Sequence, residues 1–278
     1  MKSQAEFDQV AFSGGGIRCF WHGGFLSQVG SFDDLQPERV SGVSGGALSG
    51  AAWIGGVESD LLDLMREAFD LHDRNVRIGE PKLTPHQHTY RAVVSTTLDA
   101  GAMQRIIDGP QFEIILASAP KSIPATLSAV LGGALYKLEE AVRSTPHLGW
   151  SSLIGLEPLR VDARQAARDG QLVDLICAAA TIPPVFDVPQ WQNRRILDGG
   201  MCDKAPLPHP DEGKTLVLLT KPYRNIPSAA GRTYVHPSSP VAADKIDFTD
   251  SSKVTRTWEQ GIKDAKSWLA SRDSDPVI

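Results

Sequence analysis

A serine with glycine at both second neighbours, Gly42-Val43-Ser44-Gly45-Gly46, is the pattern in this chain best suited to covalent chemistry. At a tight strand-to-helix elbow, side chains two positions before and after the serine would collide, so glycines there let the hydroxyl stand outward as a nucleophile. The helix N-terminus behind it favours negative charge developing nearby. A small-residue turn that only packs a buried helix would look the same, so Ser44 needs partners. Two other glycine-bearing segments could supply them. In Ser13-Gly14-Gly15-Gly16-Ile17-Arg18, successive glycine amides can converge on an anion, and Arg18 adds a positive charge. In Ile196-Leu197-Asp198-Gly199-Gly200, the acid at a strand end can act as a base or merely form a turn.

The elements that must carry these residues can be read from hydrophobic periodicity. Residues 7–13 predict a strand that stops at the glycine run, and 19–29 a helix. The plan repeats with a strand over 39–43, the Ser44-Gly45-Gly46 turn and an Ala-rich buried helix over 47–54. Two such units in succession predict a parallel sheet. Further on, the pattern predicts a helix over 61–71, a polar surface excursion over 75–91, and a short helix capped by Asp99 through Ile107. A strand follows over 112–117, then a helix over 123–142 weakened by Gly132-Gly133 at about 1 kcal/mol each. Strands over 159–161 and 195–197 flank a helix over 172–180. Thr215–Thr220 reads as a strand buried on both faces. A Pro- and Ser-rich loop over 222–243 leads to a closing helix, about 251–271, with Val254, Trp258, Ile262, Ala265 and Leu269 on one stripe. No linker divides the chain, so one domain over 1–278 is expected, with a middle insertion at about 75–150.

Bulk properties exclude several function classes. With 41% hydrophobic residues, the 278-residue chain can fill an ordinary core. The formal charge is −5 and no basic run exceeds Arg194-Arg195, which argues against nucleic acid as a partner. Cys19, Cys177 and Cys202 are far apart and form no CxxC pair, so neither a zinc knuckle nor a disulfide framework is indicated. The charged opening MKSQAEFDQVAF lacks an apolar export core, so a cytoplasmic location is expected, with export by signal-less machinery left open. Val40–Val57 is uncharged over 18 residues, but six glycines and three serines mark it as buried strand, turn and helix. Of the histidines, only His86-x-His88 has ligand-like spacing; without carboxylates it reads as a solvated loop, and no metal or cofactor is expected.

Taken together, Gly14-Gly15-Gly16-Ile17-Arg18, Gly42-Val43-Ser44-Gly45-Gly46 and Asp198-Gly199-Gly200 resemble the motif order of patatin-like phospholipases. Ala178–Phe186, the Ala205-Pro206-Leu207 run and Phe248-Thr249-Asp250 before the last helix are similar to that family as well. The resemblance implies a three-layer α/β/α fold with a mainly parallel central sheet. It also implies a serine acyl hydrolase of lipid metabolism, degrading phospholipids or related lipids through a Ser44–Asp198 dyad. Ser44 would be the nucleophile, on an elbow formed by Gly42, Gly45 and Gly46. Asp198 would be the base, in a loop shaped by Gly199 and Gly200. Gly14, Gly15 and Gly16, with Arg18 nearby, would form the oxyanion and phosphate site. Aspartate is a weak base at neutral pH, so either partial burial must strengthen it or the oxyanion site must supply most of the stabilisation, the second route carrying more weight. Cys19 departs from the family's usual glycine.

Other readings of the same residues remain open. Gly14-x-Gly16-x-x-Cys19 nearly spells a dinucleotide turn but lacks the third glycine, and a P-loop would need a following Gly-Lys. Trp21-His22-Gly23-Gly24 mimics the oxyanion motif of lipase-type α/β-hydrolases, which would require His209 or His236 in a triad. Only 22 residues separate His22 from Ser44, too few for the intervening strands and helix of that fold. A catalytically silent relative that binds lipid or protein is the non-enzyme alternative. The expected partner is a lipid, with peripheral membrane contact through residues 121–143. Leu127, Val130, Leu131, Ala134, Leu135 and Leu138 fall at helical spacing there, a stripe that suits either an interfacial element or ordinary core.

Overall fold

In the computed structural model, residues 6–71, 86–181, 183 and 187–274 are described. The first half contains β1 (Gln9–Phe12), a 3₁₀ turn at Gly16–Cys19, α1 (Phe20–Val29), α2 (Phe32–Leu35), β2 (Arg39–Val43), α3 (Gly45–Gly55), α4 (Glu58–Asp70), α5 (His86–Thr97) and α6 (Ala100–Asp108). There follow β3 (Gln111–Ser118), α7 (Ala125–Arg143), β4 (Glu157–Asp162), α8 (Ala163–Arg168) and α9 (Leu172–Ala179). The chain continues through β5 (Gln190–Trp191), β6 (Arg194–Asp198), β7 (Thr215–Leu218), β8 (Arg232–Val235) and α10 (Ser251–Ser274).

The strands form one sheet in the order β5-β6-β3-β2-β1-β7-β8, with β4 paired to β3. The pairings from β3 through β2, β1 and β7 to β8 are parallel, while β4 and β6 run antiparallel to β3. Helices cover the sheet, giving the three-layer α/β/α architecture with a mainly parallel centre. β1 and β7 are buried at every residue, as strands covered on both faces must be. The chain leaves β1 toward β2 on one side and returns to β7 on the other, so the carboxyl ends of β1 and β2 lie at a change of winding direction, where α/β sheets open a crevice.

Register aligns the distant motifs. Phe12 pairs with Gly42 and Val43 with Ile115, which brings the ends of β1 and β2 to the level of Leu116. Leu116 also pairs with Asp198, the last residue of β6. Gly199 then crosses over the end of β3: a Cβ there would lie 2.2 Å from the Ile115 carbonyl oxygen and 2.9 Å from Val43 Cγ2.

On one face, α10 lies against α1 at very short range. A Cβ on Gly23 would meet the Trp258 ring at 2.2 Å, and one on Gly24 the Trp258 carbonyl at 2.0 Å. One on Gly261 would meet the Trp21 carbonyl at 2.4 Å. Trp21 Nε1 donates to buried Asp264 at 2.8 Å and pins the pair. The Gly23-Gly24 pair therefore serves helix packing.

Two local expectations are corrected, and one left open is decided. The predicted polar excursion reaching residue 91 is helical from His86, because His86, Tyr90, Val93, Val94 and Thr97 share an inward face. The earlier part of that excursion, with Pro81 and Pro85, lies outside the described residues, as does His72. His86 is buried with its ring 4.3 Å from Phe248, whereas His88 is exposed, so the two histidines do not share a face. Within the predicted loop over 222–243, residues 232–235 form edge strand β8, guided by its parallel pairing with β7. The stripe on α7 faces outward: Leu127, Val130, Leu131, Leu138 and Val142 are exposed, while Ser128, Ala129, Gly132 and Glu139 face the protein. Gly132 permits that approach, since a Cβ there would meet Leu156 at 2.8 Å.

Candidate active site

Ser44 sits between β2 and α3 with φ 55° and ψ −134°, a left-handed backbone that a side-chain-bearing residue adopts only under steric compulsion. The surrounding glycines show the compulsion. A Cβ at Gly42 would touch Ala47 Cα at 2.8 Å, one at Gly45 the Gly16 carbonyl at 2.6 Å, and one at Gly46 the Ser13 carbonyl at 2.4 Å. The elbow is thus folded between the β1 glycine loop and its own helix.

The Ser44 hydroxyl donates to Asp198 Oδ2 at 2.6 Å. Both residues are buried, at 5% and 4% exposure. The second carboxylate oxygen, Oδ1, accepts the Gly200 amide at 2.7 Å, and the Asp198 amide donates to the Thr181 carbonyl at 2.9 Å. Oriented by two fixed backbone partners, Asp198 faces the serine with one oxygen.

The glycine loop is held from three sides. The Gly14 amide donates to the Lys204 carbonyl at 2.8 Å, and the Gly14 carbonyl accepts the Thr220 hydroxyl at 3.0 Å. Gly16 has φ +59°, and a Cβ on it would lie 2.2 Å from the Lys245 carbonyl. The amides of Gly15 and Gly16 donate to no protein acceptor among the described residues. Two of the three glycines therefore offer free donors beside Ser44, and Gly14 contributes its small size, its Cα facing Ser44. Arg18 turns toward the loop before α10, donating to the Ala243 carbonyl at 3.4 Å and lying 3.9 Å from Asp244. Cys19 is buried beneath the elbow with Sγ 3.5 Å from the Ser13 carbonyl. Burial, and after it the Asp198 charge, push its thiol far up, so it stays neutral.

No histidine partners Ser44 or Asp198 among the described residues. His22 is fully buried against Phe12 and Trp21, and burial pulls it down to about 3, against a smaller opposing effect of the Leu218 carbonyl. His209 and His236 are exposed. His147 binds Asp203 at 3.2 Å and the Tyr234 hydroxyl at 2.9 Å, bracing the segment that follows the aspartate loop.

An apolar cavity of about 60 Å³ opens beside Ser44, walled by Phe12, Leu26, Leu48, Ala52, Leu61 and Met65. Glu58 also lines it, and burial raises its carboxyl to about 7. Sequence reasoning missed Thr220, Lys204, Tyr136 and Lys245 around the site. Lys204 had a weak signal in its nearness to the Asp198 motif; the others carry none.

Comparison with known proteins shows the family and the fold. No curated protein matches the chain. The crystal structure of VipD from Legionella pneumophila is similar over 97% of this chain and 68% of its own, with a TM-score of 0.54 and 11% identity, a likeness of fold. A family model described as patatin-like phospholipase matches residues 10–210, which include the glycine loop, the serine elbow and the aspartate motif. The match spans well over half of the 278 residues, and the chain belongs to the patatin-like phospholipase family.

Proposed function

We propose that this protein is a lipid acyl hydrolase that cleaves carboxylic esters of phospholipids or related lipids through an acyl-serine intermediate. The observation that carries this reading is the 2.6 Å hydrogen bond from the Ser44 hydroxyl to an Asp198 carboxylate whose other oxygen is held by a backbone amide. Asp198 accepts the hydroxyl proton as Ser44 Oγ attacks the ester carbonyl. The Gly15 and Gly16 amides stabilise the tetrahedral oxyanion, aided by the N-terminus of α3. Collapse expels the alcohol, which takes the proton back from Asp198. Water, deprotonated by the same carboxylate, then releases the fatty acid and regenerates the serine. The apolar lining beside Ser44 supports entry of the acyl chain from that side.

The outward apolar face of α7 supports peripheral contact with a lipid surface, since the same helix carries Tyr136 toward the site. No helix among the described residues is long and apolar enough to cross a membrane. A fluorophosphonate probe tests the nucleophile: it labels the wild type and fails to label Ser44→Ala. Equal labelling of the mutant removes Ser44 from the role. Mass spectrometry of products from mixed phospholipid vesicles, wild type against Ser44→Ala, identifies the ester cleaved.

A further inference from the structure

Next to the dyad, two lysines converge on one aromatic ring. Lys204 Nζ lies 4.3 Å from the Tyr136 ring centroid and Lys245 Nζ 5.1 Å from it, with Lys245 Nζ also 3.5 Å from the Tyr136 hydroxyl. The three residues come from the segment after β6, the loop before α10, and α7. Lys204 is only 8% exposed. Neither ammonium has an ion-pair partner among the described residues, because the nearby acids are engaged elsewhere. Glu140 binds Lys221 and accepts the Tyr136 hydroxyl, Asp203 binds His147, and Asp198 holds Ser44 and the Gly200 amide. Burying an ammonium without a direct ion pair is costly, and two that share a ring repel each other as well. Ring-face attraction offsets part of that cost.

The pair also lies beside the reacting groups. A Cβ on Gly200 would sit 2.8 Å from Lys204 Nζ and 2.9 Å from Asp198 Oδ1, and Lys245 lines the same cavity as Ser44. We propose that Lys204 and Lys245, gathered on the Tyr136 ring, form the subsite for the substrate's phosphate, which makes phosphate-bearing acyl lipids the preferred substrates over neutral acylglycerols. This rests on the lipid hydrolase reading above and names its substrate class. An ester whose phosphate stands at the lysines reaches Ser44 with its carbonyl, while the acyl chain enters the apolar cavity. Burial, and then the Lys204 charge, lower the Lys245 ammonium to about 8, against the opposing pull of Asp198 and Glu140; Arg18 adds to the lowering. A bound phosphate offsets that repulsion and favours the charged form.

Calorimetry in the Ser44→Ala background measures binding without turnover. The probes are a short-chain lysophosphatidylcholine below its micellar concentration, the matching monoacylglycerol, and inorganic phosphate. Lys245→Gln and Lys204→Gln are each expected to weaken the lysophospholipid by about 10- to 100-fold, and the monoacylglycerol much less. Circular dichroism confirms the folded state, and Lys245→Gln, the less buried substitution, decides should Lys204→Gln fail to fold. Unchanged lysophospholipid affinity in a folded variant overturns the proposal. So does equal weakening of both lipids, which would mean the lysines act through packing. Inorganic phosphate binding as tightly as the lysophospholipid would mark a site for free phosphate and overturn the lipid assignment. Turnover plays no part in these measurements, so a wild type inactive on every ester would sink the hydrolase reading separately.

Discussion

At the scale of residues, the site consists of one strained serine, one braced carboxylate and two free amides. The strain at Ser44 persists because the close contacts at Gly42, Gly45 and Gly46 leave the elbow no other course. The proposed dyad chemistry demands more of Asp198 than of any histidine. Asp198→Asn keeps the shape but loses the proton acceptor, and kcat on a soluble short-chain ester is expected to fall by about 10³ or more, as in other interdependent catalytic units. His209→Gln and His236→Gln are expected to keep most of the activity. A histidine variant as inactive as Asp198→Asn would revive the triad reading. The motif serine and aspartate were legible because their glycine neighbours are local. Lys204, Lys245 and Tyr136 were not, since no pattern ties residues 136, 204 and 245 to one another along the chain.

At the scale of elements, α7 is the helix whose role periodicity left undecided. An apolar stripe at helical spacing packs a core when a neighbour covers it and meets lipid when none does, and the stripe itself is the same in both cases. Here the inner face carries Ser128, Ala129, Gly132 and Glu139, and the leucines point out. The buried Glu139 carboxylate accepts the Gly149 and Trp150 amides and pairs with Arg143, tying the helix end to the following turn. Leu131→Asp, on the exposed face, is expected to abolish co-sedimentation with phospholipid vesicles and to leave the circular dichroism signal and soluble-ester hydrolysis in place. Because the proposed contact rests on apolar burial, wild-type binding is expected to change little between low and high salt. Vesicle binding by the mutant equal to wild type would remove α7 from that role.

At the scale of the whole molecule, the sheet register turns three separate motifs into one site, and the core beneath it has a pH dependence. His22 is fully buried and held near 3, below its ordinary 6.5. The unfolded chain therefore binds more protons between these values, so stability rises with pH across the interval. The contribution is complete above about 6.5 and is lost as pH falls toward 3, on the order of 5 kcal/mol in all. The denaturant midpoint of wild type is expected to fall relative to that of His22→Leu as pH drops from 7 to 4; a constant difference would exclude His22 as the source. By itself, the sequence determined the parallel units, the elbow, the glycine loop and the aspartate turn. In each of these the decisive contacts are steric and lie within a few residues, so residue type and spacing suffice. Only the tertiary structure decided which remote groups meet. It joined Ser44 to Asp198 across 154 positions, assigned Gly23-Gly24 to the α10 interface, took the Gly14 amide for Lys204, and turned the α7 leucines outward. Those outcomes follow from strand register and helix packing, which depend on the whole core at once and leave no mark at any single position.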